Sequence, residues 1–142
     1  MNKENRIKFN YPVKILVAWG EAITGNAKIR DWLMNNGYPE LGLFTFALRN
    51  NDEALEWLIK NNFSHLAALV NGIEGNKQAL KWMEEYGFKT LKKMAIAADN
   101  DTKVMQELMQ TDKLLAMLAM KMGAVKDEIE RDNNDAHKMS SD

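Results

Sequence analysis

The sequence predicts an all-α fold, a short solenoid of stacked antiparallel helix pairs with a C-terminal capping helix. The first observation behind this prediction is a repeat: Trp32, Trp57 and Trp82 lie at a constant spacing of 25 residues, and the sequence around them recurs with them. The second is that turn signals and apolar stripes follow the same spacing. A fixed period of this length is typical of stacked-repeat proteins, in which each unit buries its apolar face against its neighbours.

Two kinds of turn signal divide each repeat into two helices. One kind places Gly or Asn before Asn or Asp, and these dipeptides are Gly25-Asn26, Asn50-Asn51, Gly75-Asn76 and Asn100-Asp101. Gly and Asn tolerate the left-handed conformation that ends helices, and Asn and Asp are favoured N-caps of the next helix. The other kind places Gly or Asn before an aromatic residue, at Gly37-Tyr38, Asn62-Phe63 and Gly87-Phe88. It suits a helix stop in which the aromatic side chain folds back onto the last turn, and Pro39, Ser64 and Lys89 then begin the next helix.

The apolar residues support the same division. In one helix of each unit they follow offsets of three and four, which form a single helical stripe. The stripes are Leu16/Trp19/Ile23, Leu41/Phe44/Leu48, Leu66/Leu69/Ile73, Leu91/Met94/Ala98 and, after a deletion of one residue, Leu115/Leu118/Met122. We expect these residues and the three repeated tryptophans to form the core between units. A platform for stacking a ligand is the alternative for the tryptophans.

These signals predict helices at 12–24, 27–36, 39–49, 52–61, 64–74, 77–86, 89–99, 102–110 and 113–131. The predicted organisation is an N-terminal arm at 1–11, a helical repeat domain at 12–131 and a flexible polar tail at 132–142. Within the domain the units are 12–38, 39–63, 64–88 and 89–112, followed by the capping helix at 113–131. In the fourth unit Glu107 replaces the tryptophan, as expected where a stack ends.

One unit, residues 64–88, resembles the helical half of an ankyrin repeat. The similarity consists of an opening leucine, a helix of small residues, the Gly75-Asn76 turn, a second apolar helix and a closing Gly87. It extends over roughly residues 12–112. The chain departs from the ankyrin pattern because its period is 25 residues instead of about 33, and because it lacks the Thr-Pro-Leu-His opening and the β-hairpin finger. The resemblance implies a stack of ankyrin-like helix pairs without fingers, and it implies protein–protein recognition.

The bulk composition restricts the class of protein. The 142 residues are 46% hydrophobic and 27% charged with a formal net charge of −1, which gives no overall attraction to nucleic acid. The absence of cysteine excludes disulfides and thiolate metal sites. The polar N-terminus lacks the apolar run of a signal peptide, and no apolar stretch is long enough to cross a bilayer. We therefore expect a cytoplasmic protein.

No residue pattern predicts catalysis, a cofactor or a metal site. Ser64 and His65 are adjacent on one helix and so do not face each other, and Ser64 is better explained as a helix cap. Asp99 and Asp101 are spaced like the start of a calcium loop, but the Gly and Glu that such a loop requires are missing, and the register makes Asp101 an N-cap. We expect no enzymatic activity, no cofactor and no bound metal.

The predicted function is a non-enzymatic protein–protein interaction module, a small adaptor or modulator that engages an unknown partner through the concave face of the stack. Specificity is expected at positions that vary between repeats, since the constant positions are committed to stacking. The candidate partner-binding residues are Glu21, Arg30, Phe46, Glu56, Asn71, Lys81, Lys92 and Ile96, together with Met117 and Met120 of the last helix. We expect a monomer or a weak homodimer.

Two alternatives stay open at this point. One is a ligand-binding protein or enzyme whose pocket lies between repeats. The other, which is less favoured, is nucleic-acid binding through Lys89, Lys92 and Lys93, a small basic patch on an otherwise neutral protein.

Overall fold

The computed structural model describes residues 9–140, and it describes their side chains up to residue 134. This part of the chain is all-α, with nine helices and no strand. The helices are α1 (Val13–Ile23), α2 (Ala27–Asn35), α3 (Pro39–Leu48), α4 (Asp52–Lys60), α5 (Ser64–Ile73), α6 (Lys77–Glu85), α7 (Lys89–Ala98), α8 (Thr102–Thr111) and α9 (Lys113–Ser140). The nine predicted helices are therefore confirmed, and every predicted boundary up to the start of α9 agrees to within one residue.

The predicted turn residues explain these boundaries. The side-chain oxygens of Asn26, Asn51, Asn76 and Asp101 each accept a hydrogen bond from the backbone N–H three residues later, at 2.9–3.1 Å. The seven Gly and Asn residues predicted to end helices all have positive φ, between 69° and 113°. Ser64 differs from its prediction: the cap position of α5 belongs to Phe63, and no side chain in the described part of the protein caps this helix. Ser64 lies one residue too late, inside the first turn, to accept the N–H bonds that define a cap.

The helices form two layers. Helices α1, α3, α5 and α7 pack side by side in chain order as an inner layer. Helices α2, α4, α6 and α8 lie outside them, and each packs against the inner helix before it and the inner helix after it. Among the described residues the backbones of successive outer helices do not approach each other closely, so a groove runs between each successive pair.

Helix α9 continues the inner layer and closes it. It packs against α7 and α8, as the next inner helix would, but it also contacts α1, α3 and α5. Leu115 near its start lines the same cavity as Leu16 of α1 and Leu91 of α7, whereas Lys126 reaches the C-terminal ends of α3 and α5. Helix α9 therefore runs parallel to the other inner helices. It packs against the last helix pair, as the predicted capping helix would, but it also covers the inner face that was expected to be free for a partner.

Small residues permit this closure. A Cβ added to Gly20 of α1 would lie 3.3 Å from the Leu118 side chain of α9, so the two helices are already in close contact there. A Cβ added to Gly123 of α9 would lie 2.5 Å from the carbonyl oxygen of Ala98 at the end of α7. Any larger residue at Gly123 would push α9 away from α7, because a backbone carbonyl cannot move aside as a flexible side chain can.

The predicted apolar stripes are confirmed as the core, except that Leu115 is only half-buried. Trp19 and Phe44 are fully buried with their ring centres 4.9 Å apart. The indole N–H of Trp19 donates to the carbonyl oxygen of Leu41 at 3.1 Å, which satisfies the one polar group of this buried side chain.

The three repeated tryptophans, in contrast, are not the core residues that the sequence predicts. Trp32 is 49% exposed, and Trp57 and Trp82 are half-buried. The residue that follows each of them, such as Leu58 after Trp57, is fully buried. Adjacent residues of a helix point about 100° apart, and a short outer helix buries only the narrow face that meets the inner layer. The tryptophans lie at the edge of that face.

The two ends of the chain are described only in part. Helix α9 is longer than predicted, continuing past residue 131 to Ser140. No Gly or Pro interrupts the chain after Gly123, so a helix anchored in the core can propagate. Of the predicted arm, Phe9 and Tyr11 pack against the core, and the Phe9 ring lies 5.7 Å from that of Trp19. Residues 1–8 of the arm and 141–142 of the tail lie outside the described residues.

Candidate functional site

The inner face of the helix layer, where a partner was expected, is held by α9. Glu21, a predicted partner-binding residue, pairs instead with Lys121 of α9, with 3.9 Å between Nζ and Oε1. Lys126 of α9 forms an ion pair with Glu74 and donates to the carbonyl oxygen of Leu48 at 3.3 Å. Its ammonium group thus lies at the C-terminal ends of α3 and α5, where the helix dipoles favour a cation. These contacts secure the chain's own last helix.

The outward side of the inner helices presents a second row of predicted residues. Phe46 of α3, Asn71 of α5 and Ile96 of α7 occupy equivalent positions 25 residues apart, and all three are half-buried. Their surroundings differ from one unit to the next, so each groove between outer helices has its own chemistry.

The first of these grooves, between α2 and α4, is filled. The Arg30 guanidinium carbon lies 4.4 Å from the centre of the Phe46 ring, which is a cation–π contact. Met34 of α2 lies directly against Gly42 of α3, at a point where a Cβ would collide with it. The structure therefore brings two predicted site residues, Arg30 and Phe46, together, but uses them to close the space above α3.

The third groove, between α6 and α8, is bridged by charge. Lys92 of α7 pairs with Glu84 of α6 at 3.6 Å, and these residues occupy the positions that Gly42 and Met34 occupy in the first groove. Lys92 is thus engaged by a carboxylate, while Lys89 and Lys93, the other members of the predicted basic patch, are exposed.

The second groove, between α4 and α6 above α5, is open. Leu55 and Asn71 stand where the first groove has its Arg–Phe pair, and Ile59 and Ala67 stand where it has its Met–Gly contact. Ile59 is 52% exposed, and the side-chain amide of Asn71 has no hydrogen-bond partner among the described residues. The space left is about 330 Å³. We call it the outer groove, and its lining residues are Ile59, Ser64, Ala67, Ala68, Asn71, Asn76, Gln78, Ala79 and Trp82.

The remaining predicted residues lie away from these contacts. Glu56 and Lys81, on outer helices, form ion pairs one helical turn away with Lys60 at 2.8 Å and Glu85 at 3.9 Å. Exposed pairs of this kind contribute little to stability. On α9, Met117 is half-buried and Met120 is 53% exposed. In the described part of the chain the backbone of α9 does not approach α4 or α6, so the two methionines are separate from the outer groove.

Aromatic side chains cover one end of the inner layer, the end at which its helices begin. Phe63, which precedes α5, stacks on Trp57 with ring centres 6.0 Å apart. Phe88, which precedes α7, stacks on Trp82 at 5.6 Å and on His65 at 5.2 Å. The half-buried tryptophans thus lie against the residues that precede the next inner helix.

This aromatic series is interrupted where α9 begins. Tyr38, Phe63 and Phe88 precede α3, α5 and α7, but Asp112 precedes α9. Its carboxylate accepts a hydrogen bond from the backbone N–H of Leu115 at 3.1 Å and so caps the helix. Since no aromatic side chain fills this position, a cavity of about 550 Å³ opens beside it. We call it the end cavity; it is lined by Phe9, Asn10, Tyr11, Leu16, Tyr86, Gly87, Phe88, Thr90, Leu91, Asp112 and Leu115.

Two buried polar residues, Glu40 and His65, lie at the same end of the inner layer, at equivalent positions of α3 and α5. The Tyr11 hydroxyl donates to Glu40 at 2.7 Å, and burial, with this hydrogen bond and the charge of Glu40, raises the pKa of Tyr11 well above its usual value. His65 is 4% exposed and its Nδ1 has no partner within the described part of the chain. Burial lowers the pKa of His65 to about 4. The imidazole is therefore a neutral core group at pH 7.

The predicted cap role of Asp101 is confirmed, since its carboxylate accepts a hydrogen bond from the Val104 N–H at 3.0 Å.

Within residues 9–134, no group of three or more His, Asp and Glu side chains is placed to hold a metal ion. Neither cavity was predicted from the sequence, although at each of them the residue type changes at one position of the repeat. At the end cavity, Asp112 occupies a repeat position that is aromatic in the other units. At the outer groove, Asn71 occupies the repeat position that Phe46 has in the first groove.

Comparison with models of known protein families, with curated protein sequences and with solved structures finds no match to this chain. None of the helices in the described part of the chain, including the 28-residue α9, has both the length and the apolar character needed to cross a membrane.

Proposed function

We propose that this chain is a non-enzymatic protein–protein interaction module and that the outer groove is where its partner binds. The observation that carries the proposal is the contrast between equivalent grooves. The chain closes the first with Arg30 and Phe46 and bridges the third with Lys92 and Glu84, but leaves the second open above Asn71. An open apolar space between polar rims, on a frame that closes its equivalents, is typical of a recognition surface.

The chemistry of the outer groove favours an extended peptide segment with one apolar side chain. Ile59 and Trp82 form apolar walls, and Ala67 and Ala68 form a shallow floor between them. The Asn71 carboxamide carries both an N–H donor and a C=O acceptor, which matches the two hydrogen-bonding groups of a peptide bond. An apolar anchor in a pocket, flanked by main-chain hydrogen bonds, is a common mode of peptide recognition.

We further infer that the helix pairs are ankyrin-like repeats of a short solenoid whose inner face α9 has closed. The recurrence of N-caps and positive-φ residues at the 25-residue spacing supports this. We propose a cytoplasmic monomer or weak homodimer, with Met120 as the residue that would mediate self-association. Nucleic-acid binding through Lys89 and Lys93 is less favoured, since Lys92 is engaged by Glu84.

The test is a peptide-display selection against the full chain, followed by fluorescence anisotropy with the enriched peptides. The diagnostic variant is Leu55→Arg/Asn71→Phe, which transplants the Arg–Phe pair of the first groove and so closes the second by a device that this fold already uses. The matched control is Glu56→Ala/Lys60→Ala, which removes an exposed ion pair from the same helix.

We expect peptides with an apolar anchor that bind the wild type and the control equally and bind the closed variant at least tenfold more weakly. A selection that enriches nothing, or peptides that bind the closed variant as well as the wild type, would contradict the proposal. Circular dichroism of the closed variant verifies that its helices are intact.

A further inference from the structure

The end cavity exists because one position of the repeat has changed its chemistry. In three successive units an aromatic residue precedes the inner helix, and its ring packs against another ring, as Tyr38 does with Tyr11 at 6.0 Å. In the fourth unit the aromatic ring is replaced by the carboxylate of Asp112. The cavity therefore occupies space that the repeat fills with a ring elsewhere.

Aromatic rings that an aromatic side chain at this repeat position would contact line the end cavity. Phe9, Tyr11, Tyr86 and Phe88 all line it, and the ring centres of Phe9 and Tyr11 lie 5.5 Å apart in an edge-on arrangement. Leucine side chains from α1, α7 and α9 complete the apolar surface. The volume, about 550 Å³, falls in the range of roughly 300–1,000 Å³ that is usual for small-molecule sites.

Asp112 sets the charge of the end cavity. It is the one charged residue among the described residues that line the space. One of its carboxylate oxygens accepts the Leu115 N–H, and that bond offsets the positive end of the α9 dipole. The full negative charge of a carboxylate exceeds the roughly half-unit of positive charge at a helix N-terminus. The faces of the surrounding rings also attract a cation.

We propose that the end cavity is a binding site for a small aromatic amine. The ring of the ligand takes the place of the missing aromatic residue, in contact with Phe88 and Tyr11, and its ammonium group pairs with Asp112. This site is distinct from the outer groove, and the proposal does not depend on the proposed protein-binding function.

The experiment is a calorimetric titration of the full chain at pH 7.5 with three probes that share one ring system: tryptamine, which is cationic, indole, which is neutral, and indole-3-acetate, which is anionic. We expect tryptamine to bind at least tenfold more tightly than indole-3-acetate. Amide chemical shifts recorded during the tryptamine titration should change at Thr90 and Leu115, which line the end cavity, and not at Ile59 and Asn71, which line the outer groove.

Two variants assign the interaction to this site. Asp112→Asn removes the charge but retains a side-chain oxygen that can cap α9, so it should weaken tryptamine at least tenfold and leave indole unchanged. Thr90→Trp, at an exposed position of the rim, should fill the cavity and weaken both ligands at least tenfold. The proposal is overturned if tryptamine does not bind, if indole-3-acetate binds as tightly, if Asp112→Asn leaves tryptamine binding unchanged, or if the shifts map to the outer groove.

Discussion

Replacing His65 by Phe should remove a large part of this protein's sensitivity to acid. His65 is 4% exposed, is stacked against Phe88, and has its pKa lowered by burial from 6.5 to about 4. Between these two pH values the unfolded state binds a proton that the folded state excludes. The contribution of the neutral imidazole to stability is therefore complete above about pH 6.5 and is lost as the pH falls toward 4.

The size of the effect follows from the two pKa values of His65. Each pKa unit corresponds to about 1.4 kcal/mol, so the full loss is about 3 kcal/mol once the pH is below 4. By pH 5 about 2 kcal/mol of this has been lost, because the unfolded imidazole is almost fully protonated and the folded one is still mostly neutral. For a domain of this size that is a substantial fraction of the total stability.

The assay is urea denaturation of the wild type and His65→Phe at pH 7.5 and at pH 5. Phe keeps a ring next to Phe88 and removes the Nδ1 atom, which has no hydrogen-bond partner among the described residues. The variant should therefore be as stable as the wild type at pH 7.5, or more stable. Carboxylates titrate in both proteins alike, so the difference between them isolates the imidazole. An equal loss of stability in the two proteins between pH 7.5 and 5, or an imidazole NMR titration with a midpoint near 6.5, would refute the reasoning.

Five other substitutions, in three groups, test the contacts between helices and one helix cap. Lys126→Met should lower the free energy of unfolding by about 2 kcal/mol, because the Lys126 side chain is only 12% exposed and its ammonium group lies at helix C-termini. Lys121→Met should lower it by less than about 1 kcal/mol, because the Lys121 ion pair is longer and more exposed. Leu58→Ala should lower the free energy of unfolding by about 2–5 kcal/mol, and Trp57→Ala should lower it by less, since Leu58 is fully buried and Trp57 is not. The reverse order of the two losses, measured by chemical denaturation, would contradict the structure. Asn76→Ala should cost about 1 kcal/mol through the lost N-cap, measured in the same way, and no loss would show that the cap is dispensable.

The candidate sites were only partly accessible from the sequence. The repeat alignment correctly singled out positions that differ between units, and two of them, Arg30 and Phe46, do contact each other. It could not tell that this contact closes a groove, or that Asn71 at the equivalent position lies in an open one. Whether a variable residue fills space or leaves it empty depends on side chains from two other helices, which no single column of the alignment contains.

The sequence by itself determined the helices of this protein and, for all of them except α9, where each one ends. An N-cap such as Asn76 and a positive-φ residue such as Gly75 act through hydrogen bonds and steric limits that involve only a few neighbouring residues, so a local pattern is sufficient to predict them. The apolar stripes of the inner helices follow in the same way, because the period of an α-helix places them on one face.

Only the tertiary structure decided that the inner layer closes around α9. Closure depends on the small rotation between successive helix pairs, which accumulates over the whole chain, and on close approaches such as that of Gly123 to the backbone of Ala98. The exposure of Trp32 and the cavity beside Asp112 have the same origin. Each depends on which helices meet at a point in space, and that is set by contacts between residues far apart in the sequence.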